Sequence, residues 1–231
     1  MRILPWLALI LLTGCATLEE TGINEYAYEE IDGVLTETTS PEIERHPKFS
    51  DEMKKTYELL GTTGGGSGWA IDSRHIVTAK HVVKDNLLLA IRNCENELFF
   101  FESITLSPDA DLALITMMDD VIPFPVATEI PNPDDVLVAF GWPALVHVAK
   151  SHGWFFGWAS PDFMAVDMTI ISGFSGGPVL NAAGEVVGMV TATSDNTIGR
   201  SVGFVLSIDV ILENLNELGY INTSTEGSPP S

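Results

Sequence analysis

A histidine, an aspartate and a serine follow one another along the chain, each beside a segment that can hold it in place. His81 comes just after the apolar run Ile76-Val77-Thr78-Ala79, Asp111 opens Leu112-Ala113-Leu114-Ile115, and Ser175 sits in the bend Gly173-Phe174-Ser175-Gly176-Gly177-Pro178. Acyl transfer needs a nucleophile, a base to take its proton, an acid to orient that base, and donors for the oxyanion that develops. Ser175, His81 and Asp111 carry the groups for the first three roles. The glycines around Ser175 permit backbone angles that turn successive N–H groups toward one point, which supplies the fourth. Any one of these residues alone reads as ordinary. A histidine after a strand is usually a polar surface group, and His46, His75, His147 and His152 are read that way.

The elements that must position these residues are mostly short strands. From Gly61 onward, apolar or alternating segments are separated by Gly, Pro, Asp and Asn turns, the pattern of an all-β sandwich or barrel. Strands are predicted at Gly68–Ile71, His75–Thr78, Leu87–Ile91, Leu98–Phe101, Leu112–Thr116, Val136–Phe140, Met164–Met168 and Val186–Thr193. Ser50 caps a predicted helix Asp51–Leu60, with acids in its first turn and Met53, Tyr57 and Leu60 on one face. A last helix, Ile208–Leu218, follows Ser207 and stops at Gly219.

The order His, Asp, Ser, with the frame around Ser175, resembles the trypsin-like serine proteases of the chymotrypsin fold. The likeness runs more closely to bacterial HtrA-type and glutamyl endopeptidase relatives. It spans about Gly64 to Leu215 and includes Phe140-Gly141-Trp142-Pro143, Gly184-Glu185-Val186-Val187-Gly188 and Gly203-Phe204. The resemblance implies two six-stranded antiparallel β-barrels with a C-terminal helix and a catalytic cleft between the barrels. It makes His81 the general base, Asp111 its orienting acid, Ser175 the nucleophile, and the N–H groups of Gly173 and Ser175 the oxyanion hole. Asp109 would share Asp111's side of an extended chain. Asp111 is preferred because it directly precedes Leu112-Ala113-Leu114, as the family pattern requires. Ser172 falls outside the Gly-x-Ser-Gly-Gly-Pro frame and is read as a turn residue. Lys80 replaces the small residue that often precedes the histidine, and its ammonium is expected to point outward. Too few residues follow the last helix for a PDZ domain, so peptide-regulated activation of the HtrA kind is not expected.

By the same resemblance, Thr169 is the floor of the primary specificity pocket, with walls at Val190 to Thr193 and Gly203. An acid in place of Thr169 would pair with a substrate Lys or Arg, and its absence disfavours basic residues. Glutamyl endopeptidases carry a histidine where Val190 aligns, so a substrate Glu would be left unpaired. Small to medium apolar side chains are the remaining expectation.

Composition narrows the partners. Lys and Arg total 11 against 32 Asp and Glu, a net charge of -21 that makes a nucleic acid an improbable partner. Protein or peptide substrates are expected, with no cofactor and no metal: no spaced Asp/Asn loop supports calcium binding. Oligomeric state is left open. Met1–Arg2 and the apolar run Ile3–Leu12 read as a secretory signal, too short for a bilayer span of roughly 20 residues. Leu12-Thr13-Gly14-Cys15 resembles the lipobox of bacterial lipoproteins, which implies cleavage before Cys15, its lipidation, and membrane anchoring. Ala16 after that cysteine implies the outer membrane of a two-membrane cell, facing the periplasm. Cys94 then has no partner for an intrachain disulfide and is read as a small buried hydrophobe.

The expected organisation is a lipoprotein signal over 1–14 and a lipidated, acidic tether over 15–50, with one strand around Tyr26 to Leu35. A protease domain with its leading helix covers 51–219, and a loose tail 220–231. The expected function is a membrane-anchored serine endopeptidase acting through an acyl-enzyme. The alternative is a catalytically silent lipoprotein of the same fold that serves as a binding or scaffold module.

Overall fold

The computed structural model describes residues 28–31, 34–37, 50–86, 89–143, 147–195 and 201–220. The signal segment, Cys15, most of the acidic tether, His46 and residues 221–231 lie outside the described residues. Two compact units are present, residues 1–40 and 41–231. In the first, strands β1 (Tyr28–Ile31) and β2 (Val34–Glu37) pair antiparallel, where the sequence predicted one strand.

The second unit holds two sheets. The first contains β3 (Thr56–Gly61), β4 (Gly65–Asp72), β5 (His75–Thr78), β6 (Leu89–Arg92), β7 (Leu98–Phe99), β8 (Phe101–Leu106) and β9 (Ala113–Met117), in the order β7-β6-β3-β4-β5-β9-β8. Only Phe100 separates β7 from β8, and β7 pairs with β6 while β8 pairs with β9. Counted as one strand bent at Phe100, they close the sheet, and the first barrel has the six staves expected. The second sheet is a closed barrel of β10 (Val136–Gly141), β11 (Ala149–Trp158), β12 (Phe163–Met168), β15 (Ser201–Ser207), β14 (Val186–Asp195) and β13 (Pro178–Leu180), in that order. The fold is therefore all-β with two barrels and one C-terminal helix, as read from the sequence.

Burial accounts for the strands. Ile76 and Val77 of β5 and Trp69 and Ala70 of β4 are fully buried, and β-branched and aromatic side chains suit such pleated, packed surfaces. One apolar cluster centres on the first barrel and runs on into Phe140, Trp142, Met189 and Leu206 of the second. The other lies within the second barrel around Leu137, Phe155, Val166, Phe174 and Val190.

Two helical expectations are corrected or refined. The leading helix α1 spans only Asp51–Lys54, with Ser50 Oγ accepting from the Met53 N–H at 3.4 Å. The rest of the predicted helix is β3, because Thr56 to Leu59 are buried between β4 and β6 and their backbone bonds go to those neighbours. The last helix, α3 (Ile208–Glu217), stops before Gly219, whose φ of +81° suits glycine. Its buried face carries Ile208, Ile211 and Leu215 into the first barrel's apolar cluster. Tyr220, grouped with the tail in the sequence reading, is buried, and its ring packs edge-on against His75.

Candidate active site

Strand β5 ends at Thr78, and the short helix α2 (Lys80–Val83) begins two residues later, which lifts His81 out of the barrel wall. Asp111 holds this residue twice. Its Oδ1 accepts the His81 backbone N–H at 3.0 Å and its Oδ2 lies 2.7 Å from His81 Nδ1. A carboxylate is an acceptor, so this pairing puts the imidazole proton on Nδ1 and leaves the Nε2 lone pair free. The hydrogen bond to Asp111 raises the pKa of His81 above its ordinary value, against the opposing effect of burial. Burial pushes the Asp111 carboxyl up, but hydrogen bonds from the His81 ring and backbone, with the charges of His81 and Lys80, hold it below the usual range.

Asp111 is itself placed by Ser107. The Ser107 hydroxyl accepts from the N–H groups of Asp109 and Ala110 and donates to Asn214 Oδ1 on α3 at 2.7 Å. Lys80 Nζ donates to the Ser107 carbonyl at 2.6 Å. The outward-pointing lysine expected from the sequence is thus tied into the loop that presents Asp111, where its charge contributes to lowering the carboxyl pKa. Of the two acids, Asp111 bonds His81, while the Asp109 N–H donates to the Ser107 hydroxyl.

The serine bend packs against the segment bearing His81. A Cβ on Gly176 would lie 2.1 Å from the Ser67 carbonyl and 3.0 Å from Ala79 N, and the glycine's φ is +84°. Glycine is required there on both counts. Among the described residues, neither the Gly173 N–H nor the Ser175 N–H makes a hydrogen bond, while the neighbouring Phe174 and Gly176 N–H groups donate to Ile171 and Val190 carbonyls. Ser175 Oγ donates to the Thr191 carbonyl at 3.5 Å, and no hydrogen bond joins it to His81. Catalytic contacts are often long until a substrate closes them.

A cavity of about 390 Å³ adjoins this centre, lined by Asp111, Ala159, Ser160, Phe163, Thr191, Ala192 and Phe204. Of the residues expected to form the specificity pocket, Thr191 and Ala192 of the Val190 to Thr193 wall line this cavity, and the others do not. Val190 is fully buried in the second core, Thr169 is half-buried, Thr193 is exposed, and a Cβ on Gly203 would meet Ile170 and Val166 at 2.9 Å. Sequence reasoning missed Ser67, Ser107, Asn214 and, of the cavity lining, Ala159, Ser160, Phe163 and Phe204. Only Ser67 left a signal, as the centre of Gly66-Ser67-Gly68 beside a predicted strand. Cys94 is buried as expected, and burial pushes its thiol up to about 11. Among the described residues no His, Cys, Asp and Glu cluster is arranged to hold a metal.

A family profile described as the trypsin-like peptidase domain matches residues 66–189, more than half the chain and the whole span from Ser67 through Asp111 to Ser175. The chain belongs to the trypsin-like peptidase family. A probable periplasmic serine endoprotease, DegP-like, of Chlamydia trachomatis is 28% identical over 156 residues, covering 61% of this chain and 31% of that protein. An uncharacterized protein, y4bJ, of Sinorhizobium fredii is 26% identical over 171 residues, covering 70% of this chain and 27% of its own length. The peptidase chain thus spans about a third of the length of these curated relatives or less. Among solved structures, the serine endoprotease from Yersinia pestis superposes with a TM-score of 0.65 at 20% identity, covering 75% of this chain and 68% of that one. The inactive form of the Rv3671c protease gives 0.65 at 19% identity, covering 73% and 91%. At such identities the likeness establishes the trypsin-like fold alone.

Proposed function

We propose that this peptidase domain is a serine endopeptidase with His81, Asp111 and Ser175 as its triad. The observation that carries the reading is the double grip of Asp111 on His81 beside a serine bend in which the Gly173 and Ser175 N–H groups are unpaired. Ser175 Oγ attacks the scissile carbonyl carbon while His81 Nε2 takes the hydroxyl proton. The oxyanion forms against the N–H groups of Gly173 and Ser175, where fixed donors in a dry site stabilise charge far better than water does. Collapse breaks the C–N bond, and His81 passes its proton to the leaving amine. Water, deprotonated by the same imidazole, then frees the acyl group from Ser175.

The cavity beside Asp111 supports a preference for apolar side chains, since Phe163, Phe204, Ala159 and Ala192 form most of its lining. The charge of -21 argues against nucleic-acid partners. The lipobox-like segment at Cys15 and the periplasmic assignment of the DegP-like relative support a lipid-anchored protein in a bacterial envelope, with an acidic arm leading to the domain and a short tail behind it.

One observation favours the silent-scaffold alternative: the Ser175 hydroxyl is bonded to Thr191 and not to His81. Digestion of a peptide library by the full chain decides between the two. Cleavage that disappears in Ser175→Ala, by roughly 10⁴-fold or more, is the expected result. A wild-type chain that binds peptides without cutting them overturns the endopeptidase reading.

A further inference from the structure

Ser67 lies on β4 of the first barrel, 106 residues from the serine bend of the second, and is fully buried. All three of its polar groups are engaged. Its hydroxyl donates to the Gly173 carbonyl at 2.7 Å and accepts the Trp142 N–H at 2.9 Å. Its N–H donates to the Ser175 carbonyl at 2.8 Å, and its carbonyl accepts from Thr78 Oγ1 at 2.7 Å. One residue therefore grips the bend on both sides of Phe174, at the carbonyls of the two residues whose N–H groups stay unpaired. The glycine before it makes the approach possible, since a Cβ on Gly66 would lie 2.6 Å from the Ser175 carbonyl. Gly173, at φ +102°, sits in a region open to several backbone arrangements, so something outside the bend must select one.

We infer that Ser67 is a positioning residue for the oxyanion site: its hydroxyl and N–H hold the carbonyls of Gly173 and Ser175, and so fix the backbone of the two residues whose free N–H groups are to face one point. The inference rests on the proposed endopeptidase reading for its catalytic consequence, though not for the clamp itself. Without the Ser67 hydroxyl the Gly173 carbonyl keeps only the Trp142 N–H at 3.4 Å, a weaker hold on a residue that supplies an oxyanion donor, and a small misplacement of such a donor is costly in rate.

The test compares Ser67→Ala with Thr78→Val in the full chain. Both remove a buried hydroxyl bond at the same strand pair, but only the first weakens the hold on a carbonyl of the bend. Ser67→Ala is expected to lower kcat roughly 10- to 100-fold with KM within about twofold, and to weaken a peptide aldehyde, whose hemiacetal oxygen needs the two N–H groups, by the same factor. Amide exchange in residues 173–177 should quicken in Ser67→Ala and not in Thr78→Val. Thr78→Val should lower the thermal midpoint and leave kcat in place. Should Ser67→Ala fail to fold, the near-isosteric Ser67→Cys carries the same comparisons.

Unchanged exchange in the bend overturns the clamp whether or not the chain hydrolyses peptides. Equal kcat losses in Ser67→Ala and Thr78→Val overturn it too, by reducing Ser67 to a stabilising residue. Quickened exchange in a chain that cleaves nothing would support the clamp and overturn the endopeptidase reading alone.

Discussion

An imidazole that donates to a carboxylate holds its proton more firmly than a free one, and His81 acts as a base only after that proton balance is met. Its raised pKa means the neutral, base-competent form is populated only at higher pH than for an ordinary histidine near 6.5. The acid limb of kcat/KM is therefore expected above that value. Asp111→Asn removes the charge and the tautomer preference together, and turnover should fall about 10⁴-fold. An acid limb at or below 6.5 in the wild type would contradict the Asp111–His81 coupling. The stability effect follows the same signs. The raised histidine contributes fully below its unfolded pKa, and that contribution is lost as pH rises through the folded value. Asp111, lowered, contributes above its unfolded pKa and loses the contribution as pH falls through its folded value.

Strands β3, β4 and β6 carry the row Arg92, Glu58 and Ser67, directly opposite one another across the ladder. Glu58 is fully buried and ion-paired with Arg92, whose guanidinium also lies 5.6 Å from the Trp142 ring centre. Removing one partner of a buried pair strands the other's charge. Arg92→Ala should cost about 3 kcal/mol in chemical denaturation, and the double variant Arg92→Met with Glu58→Leu much less than the two single changes summed. Additive losses would show that the pair is not coupled. This row was not legible in the sequence. The stretch Asp51 to Leu60 reads as a helix, with a capping serine and Met53, Tyr57 and Leu60 in step. What overrides it is pairing with β4 and β6, distant partners that no local pattern names. The catalytic candidates were legible because each sits in its own short frame of apolar strand or glycine bend. Ser67, Ser107 and Asn214 were not, since their work is done by bonds spanning 106 or 107 residues. The cavity was legible only in part for the same reason: the resemblance named the wall that includes Thr191 and Ala192, but not the β11–β12 turn that meets it there.

At the scale of the whole molecule, the two barrels share an apolar cluster, and α3 joins them through Asn214 and its buried aliphatic face. This shared packing sets the barrel that carries His81 and Asp111 beside the barrel that carries Ser175. Among the described residues no helix is long and apolar enough to cross a membrane, and the proposed anchor is a lipid at Cys15. Cys15→Ala should move the chain from the membrane to the soluble fraction, and unchanged detergent partitioning would refute lipidation. The central claim is that Ser175 is an activated nucleophile. Treating the full chain with a fluorophosphonate probe and mapping the adduct by peptide mass spectrometry tests it most directly. The account predicts a single adduct on Ser175, absent from Ser175→Ala and strongly slowed in Asp111→Asn. An unlabelled Ser175 in a folded chain, or an adduct that persists in Ser175→Ala, would contradict it.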